Sequence, residues 1–212
     1  MRIDIYADIA CPWCYIGERR LVQALAQRPA LAAELHWRPF QLQPDLPPTG
    51  VPWQEFAPQK FGSAEQARAM FGQVARAGAP DGIDFKFAQV ATAANTRDAH
   101  RMLLYAADHG GEWPLAEALF KAYFTDGRDL NNLDHLIAIA AEVGIAAADV
   151  RALLASDAYR AEVDESQSLA ARLGIQGVPF YVIDERCGMS GAQPVATFLQ
   201  MLDQIAGENA DA

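Results

Sequence analysis

From the N-terminus, Ile3, Ile5, Ala7 and Ile9 alternate with Arg2, Asp4, Tyr6 and Asp8. A period of two predicts a strand over residues 2–9. The alternation stops at "CPWC". Beyond it Gly17, Leu21, Val22 and Leu25 fall on the side of Cys14 at helical spacing, whereas Arg19, Arg20, Gln23 and Gln27 fall elsewhere. The two cysteines therefore stand between a strand and a helix. Pro12 occupies the first helical turn, where its missing N–H costs nothing. Residues 34–42, ELHWRPFQL, read as a second strand, with Pro39 at an end or an edge. The stretch from Pro44 to Pro58 holds five of the twelve prolines and reads as an irregular connection.

From about Ser63 to Leu173 the period is helical. Ser63 with Gln66 forms a capping box for a helix ending near Gly78. Asn95 caps a helix that stops before Gly110-Gly111. Pro114 opens another, ending near Gly127, and Asn132 caps one closed by Gly144. Two further runs start near Ala147 and Ala158, the second stopping at Gly174. The tail reverts to strand character at Phe180–Ile183, turns at Asp184–Arg186 and continues in a short strand near Cys187. A last helix carries Val195, Phe198, Leu199, Leu202 and Ile205 on one stripe. The two ends form one α/β unit, residues 1–58 and 174–212, and a helical block, 59–173, is inserted between them.

Composition adds limits. The chain has 212 residues, 51% hydrophobic and 21% charged, enough for a sizeable core without disulfides. The net charge of −10, with no Lys/Arg cluster, excludes nucleic acid and anionic membrane surfaces as natural partners. No apolar run reaches 18 residues, and MRIDIYADIA lacks the pattern of a secretory signal. The expected location is cytoplasmic. There a CxxC is more often catalytic or metal-binding than a structural disulfide.

Cys11 and Cys14 then take different roles. A helix start offers free N–H groups and a partial positive charge, and both favour a thiolate at the first position. Cys11 is the attacking thiol. Cys14, one turn inward, is placed to resolve the mixed disulfide. Trp13 either contacts substrate or shields the thiol locally. A zinc knuckle is the rival for the pair, but it needs two more ligands. Cys187 and one of His36, His100, His109 or His135 would have to supply them, and no second pair is closely spaced. No metal is expected.

The strand–CPWC–helix and the "GVPF" before a late strand resemble the DsbA branch of the thioredoxin fold. The wider text "DIACPWCYIGERRL", "RPFQLQPDLP", "NTRDAHRMLLYA" and "GVPFYVIDERCGMSGAQP" resembles the FrnE-like, polyketide-biosynthesis-type dithiol–disulfide oxidoreductases. The resemblance implies a thioredoxin-like α/β fold with a helical insertion. It also implies an exposed nucleophile at Cys11, a resolving thiol at Cys14, and a cis Val178-Pro179 peptide lying against the pair. Such a loop leaves the Val178 backbone free to pair with an extended substrate. Relatives with serine at the first cysteine are glutathione-dependent, such as 2-hydroxychromene-2-carboxylate isomerase and kappa-class transferases.

Other residues carry two readings each. Asp8 relays a proton to or from Cys14, or is solvated or caps the helix. His100 faces a cleft between the units, or is a hydrogen-bonded structural histidine. Arg19 and Arg20 read as a solvated helix face. Cys187 is a small buried apolar residue, or an auxiliary thiol exchanging with the pair. The expected activity is thiol–disulfide oxidoreduction or isomerisation of a disulfide-containing protein or small molecule. No bound cofactor is expected, with glutathione as reductant or co-substrate. The rivals are a glutathione-dependent isomerase or transferase acting on a small aromatic molecule, and a non-catalytic zinc-binding or interaction domain.

Overall fold

The computed structural model of the protein describes residues 1–210. Its main sheet has the order β2-β1-β5-β6, from β1 (Arg2–Ala7), β2 (Glu34–Pro39), β5 (Phe180–Ile183) and β6 (Cys187–Ser190). β1 and β2 run parallel, as a connection through a helix allows, whereas β5 is antiparallel to β1 and β6 to β5. The β5–β6 hairpin turns through Asp184 and Glu185, both at positive φ. A two-stranded ribbon joins β3 (Val51–Pro52) to β4 (Thr92–Ala93).

The helices are α1 (Pro12–Ala26), α2 (Trp53–Phe61), α3 (Ala64–Gly78), α4 (Arg97–Ala107), α5 (Glu112–Phe124), α6 (Leu133–Glu142), α7 (Ala147–Ala155), α8 (Arg160–Arg172) and α9 (Val195–Ala210). Ser63 Oγ accepts from Gln66 N–H at 3.0 Å, and Asn132 Oδ1 from Asp134 N–H at 2.9 Å, so both expected caps are made. Asn95 sits one residue before the N-cap position of α4, yet its side chain still accepts from Arg97 N–H at 3.1 Å.

One face of the sheet carries Ile3, Ile5, Ala7, Tyr181 and Ile183 into a core shared with α1, α9, α4, α5 and α6. The opposite face carries Tyr6, Phe180 and Val182, which pack with Ala170 of α8 and Ile175. β1 is thus covered on both faces, and the alternation read from its sequence separates two buried sets rather than core from solvent. The fold is thioredoxin-like, with a mixed sheet between helical layers.

Three expectations change. α2 was hidden by its prolines: it begins inside the stretch read as irregular, with Pro58 within it, and β3 ties it to β4. The helical segment therefore begins before position 59. α8, assigned to the inserted block, packs on the sheet as well as on α4. Within α1, Leu21 is buried as expected but Val22 is 45% exposed.

Gly17 marks where α1 touches the sheet. A Cβ there would stand 2.3 Å from the Tyr181 hydroxyl and 3.0 Å from Pro179 Cγ. Tyr181 is fully buried and its ring cannot swing aside. Alanine elsewhere in a helix gains about 1 kcal/mol over glycine. Here Gly17→Ala is expected to lose about 1–3 kcal/mol through overpacking, measured by denaturant unfolding. A stabilised variant would contradict this contact.

Candidate active site

β1 ends at Ala7 and the chain turns through Asp8, Ile9 and Ala10 into α1. Cys11 N–H donates to the Asp8 carbonyl at 3.0 Å, closing the turn. Cys11 is the extended N-cap residue of α1 and Pro12 its first helical residue, as the sequence pattern requires. The Cys11 carbonyl accepts from Cys14 N–H at 3.0 Å and Tyr15 N–H at 3.4 Å. Cys14 therefore sits one turn inside the helix. Both are free thiols.

Across the turn lies the chain entering β5. The Val178-Pro179 peptide is cis, and Cys11 Sγ–H donates to the Val178 carbonyl at 3.5 Å. This contact joins residues 167 positions apart. It also corrects one expectation: Cys11 is only 4% exposed, because its sulfur is turned beneath this loop. It reaches the surface through a cavity.

That cavity has a volume of about 290 Å³ and lies between the CPWC turn, Val178 and the α2–α3 pair. Trp13, 40% exposed, forms part of its wall, so its ring is available to a ligand rather than folded into the core. Trp53, Phe56 and Phe71 line the far side and Lys60 its rim. The aromatic set is held by ring contacts, Trp53 to Phe71 at 5.4 Å and Trp53 to Phe56 at 5.6 Å. None of these α2 and α3 residues was legible as part of the site. Their only sequence signal was an aromatic-rich stretch next to prolines.

Asp8 and His100 meet beneath the turn, 1% and 0% exposed. Asp8 Oδ1 accepts from Ala10 N–H at 3.2 Å and Oδ2 from Leu42 N–H at 2.7 Å. His100 Nε2 is 3.4 Å from Asp8 Oδ1, and its Nδ1 lies 3.2 Å from Trp37 Nε1. The solvated reading of Asp8 is therefore wrong, and His100 does face the dithiol region.

The sequence profile of the DSBA-like thioredoxin domain matches residues 2–203. The chain belongs to that family. It is 37% identical to a probable DsbA oxidoreductase from Streptomyces coelicolor, with a TM-score of 0.90 over 98% of this chain and 91% of that one. It also shares its fold with the cytosolic disulfide reductase DsbM from Pseudomonas aeruginosa, at 20% identity and a TM-score of 0.70 over 97% and 98% of the two chains. A structure of 2-hydroxychromene-2-carboxylate isomerase superposes with a TM-score of 0.74 at 16% identity, over 100% of this chain and 98% of that one.

In this DsbA-like chain the remaining residues fall away from the pair. Cys187 is half-buried and level with Ile183 and Ile3, at the end of the sheet opposite the CPWC turn. The sheet register does not bring it to the dithiol. Among the described residues no three His, Cys, Asp or Glu side chains gather where a metal ion could be held. Arg20 is a clamp rather than part of a solvated face, whereas Arg19 stays partly solvated in an exposed ion pair. Arg19 pairs with Glu117 at 2.6 Å, and Arg20 bonds Asp81 at 2.8 Å and the Ala192 carbonyl at 2.8 Å.

Burial pushes the Cys14 thiol well up, and the neighbouring Cys11 pushes it further. Glu18, one turn beyond Cys14, is also buried, and Oε2 has no hydrogen-bond partner. Burial raises its carboxyl from 4.5 to about 7, against the pull of Arg19. The folded chain therefore holds this proton more tightly than the unfolded one. Stability from Glu18 is greatest below pH 4.5 and falls as pH rises toward about 7. The loss is on the order of 3 kcal/mol. Glu18→Gln is expected to raise stability at pH 8 by at least about 1 kcal/mol and to flatten the fall between those values, measured by urea unfolding across pH. A fall of unchanged size would place the titration elsewhere.

Proposed function

We propose that the protein is a thiol–disulfide oxidoreductase or isomerase working through Cys11 and Cys14. The observation that carries this is the asymmetry of the pair. Cys11 caps the helix start, against the Val178 carbonyl and open to a cavity, while Cys14 is held as a buried thiol one turn inside. The Cys11 thiolate attacks one sulfur of a substrate disulfide. A Cys11–substrate disulfide forms and the other substrate sulfur leaves as a thiolate. Cys14 then attacks the Cys11 sulfur. The Cys11–Cys14 disulfide forms, the second substrate thiolate leaves, and Asp8 receives the Cys14 proton. Two thiols are oxidised as one disulfide is reduced, and isomerisation follows when a different substrate thiolate attacks the substrate sulfur of the mixed disulfide, forming a new substrate disulfide and releasing the Cys11 thiolate. The Val178 backbone is available to an extended substrate.

The cavity favours substrates with an apolar or aromatic group beside the reacting sulfur. Its wall is aromatic and its rim carries the single cation Lys60, whereas glutathione brings two carboxylates and an ammonium. Glutathione acts here as reductant that reaches Cys11 through the cavity, without a matching set of charged partners in its wall. The expected setting is the cytoplasm, in keeping with the cytosolic neighbour DsbM and with the absence, among the described residues, of a helix long and apolar enough to cross a membrane. The isomerase likeness supports a second reading, glutathione-dependent chemistry on a small aromatic molecule.

Thiol titration across glutathione redox buffers separates the two. The dithiol reading expects one reversible two-electron transition, lost in both Cys11→Ser and Cys14→Ser. Its midpoint assigns direction, reductant or oxidant. Turnover that needs Cys11 and survives Cys14→Ser would move the assignment to the glutathione-dependent class.

Substrate preference has its own check. With an aromatic disulfide bearing carboxylates, bis(carboxynitrophenyl) disulfide, Lys60→Gln is expected to raise KM roughly two- to fivefold, as for an exposed ion pair. Glutathione disulfide should show no such change. Equal effects on both would remove Lys60 from substrate recognition.

A further inference from the structure

We propose that His100 is a positioning residue for the proton step at the dithiol, acting through Asp8. This rests on the dithiol reading above. The geometry determines which nitrogen of the ring carries a proton. Trp37 Nε1 is a donor only, and it points at His100 Nδ1 from 3.2 Å. Nδ1 is therefore the acceptor, and the neutral ring holds its proton on Nε2. That nitrogen is buried without a hydrogen-bond partner and lies 3.4 Å from Asp8 Oδ1. The indole N–H thus fixes the tautomer and leaves the Nε2–H facing the carboxylate. The contact between Asp8 and His100 is the close approach of this N–H to a carboxylate oxygen.

Two backbone donors fix Asp8, Ala10 N–H and Leu42 N–H, and His100 Nε2 of α4 stands 3.4 Å from the same oxygen that Ala10 bonds. Asp8 is the residue whose carbonyl closes the CPWC turn, and Cys14 feels both its main chain and its carboxylate charge. During resolution the Cys14 S–H bond breaks as the Cys11–Cys14 bond forms. The proton passes to Asp8 and returns to water once the substrate thiolate has left. His100 holds the carboxylate in place for that transfer and, with its Nε2 already carrying a proton, does not take the Cys14 proton itself. The other titratable or charged groups around the two residues are Cys11 on α1, Tyr123 and Glu112 on α5, Asp129 in the loop after α5, and Arg101 on α4. Burial pushes the Tyr123 phenol up, and it hydrogen-bonds the Thr92 carbonyl. Glu112 is raised to about 7 by burial and accepts from the Trp37 backbone N–H. Arg101 is engaged by Asp98 and backbone carbonyls.

The test follows release of a nitrothiobenzoate group from a mixed disulfide preformed on Cys11, from about pH 5 to about pH 9. Removing a donor from a carboxylate favours its protonated form. His100→Leu is therefore expected to move the acidic limb of the release rate up by about one pH unit, which slows release about tenfold at pH values below that limb. His100→Gln, which restores an N–H donor, should return most of the rate. Alkylation of Cys11 in a Cys14→Ser background should keep its pH profile. A limb that stays put in His100→Leu, that moves equally with Cys11 alkylation, or that vanishes in Glu112→Gln overturns the proposal. Nitrogen NMR of the His100 ring reads the tautomer without turnover and needs no destabilised variant. Nε2 should carry the proton and Nδ1 be bare in the wild type, and Trp37→Phe should mix the tautomers. A wild-type ring protonated on Nδ1 and bare at Nε2 overturns the assignment. If release is instead undiminished in Cys14→Ser, the dithiol reading fails, and the NMR result still reports on the His100–Asp8 contact.

Discussion

The carboxylate of Asp8 is the constraint on which the site depends. It lies at the end of β1, 1% exposed, takes N–H groups from Ala10 and Leu42, and meets His100 Nε2 at 3.4 Å, so three separate pieces of chain converge on it. Ala10 belongs to the CPWC turn, Leu42 to the segment leaving β2, and His100 to the first turn of α4. A buried donor without an acceptor costs about 1–3 kcal/mol. Losing Asp8 would leave several at once, directly under the cysteines. An amide could not replace it, because asparagine has one acceptor oxygen and would aim its own N–H groups at donors.

The thiols inherit their difference from this frame. The turn sets Cys11 at the mouth of α1, where its sulfur meets the Val178 carbonyl and the aromatic cavity. The same turn buries Cys14 beside Tyr181 and the Gly17 contact. Cys14 stays protonated because burial and the Cys11 sulfur both oppose its ionisation. The pair is one motif in the sequence but two environments in the fold, and a dithiol mechanism requires that difference.

Much of this was legible from local pattern. The period of two before CPWC, the caps at Ser63 and Asn132 and the β5–β6 turn are decided by residues close in sequence, and such rules read them directly. What was missed is decided by partners far along the chain. Periodicity says that α8 has an apolar face but not that the face meets Tyr6 and Phe40 of the sheet. Arg20 reads as a surface residue until Asp81 and Ala192 are folded beside it. Proline density argued against α2, yet β3 pairing and the Trp53, Phe61 and Phe71 contacts outweigh the single ladder bond that Pro58 cannot make. Asp8 and His100 were each visible as candidates. Their meeting, 92 positions apart by residue number, was not.

The helical segment is therefore a working part of the site rather than a passenger. It supplies His100, and it supplies the aromatic wall from α2 and α3. Its own rigidity comes from a buried charge one residue past His100. Arg101 is fully buried and donates to the carbonyls of Leu153, Ser156 and Ala158 and to Asp98. The carbonyls of Leu153 and Ser156 come from the end of α7, where helix geometry leaves acceptors unpaired and a cation is favoured. Arg101 thus pins α4 against the α7–α8 connection, and α8 is in turn fixed on the sheet. The position of His100 under the CPWC turn is set from both ends, by Trp37 of β2 within the site and by Arg101 outside it. A loose insertion could not hold a 3.4 Å contact to Asp8. The geometry of the dithiol is a property of the whole fold, and the interface between sheet and helices is where its proton chemistry is housed.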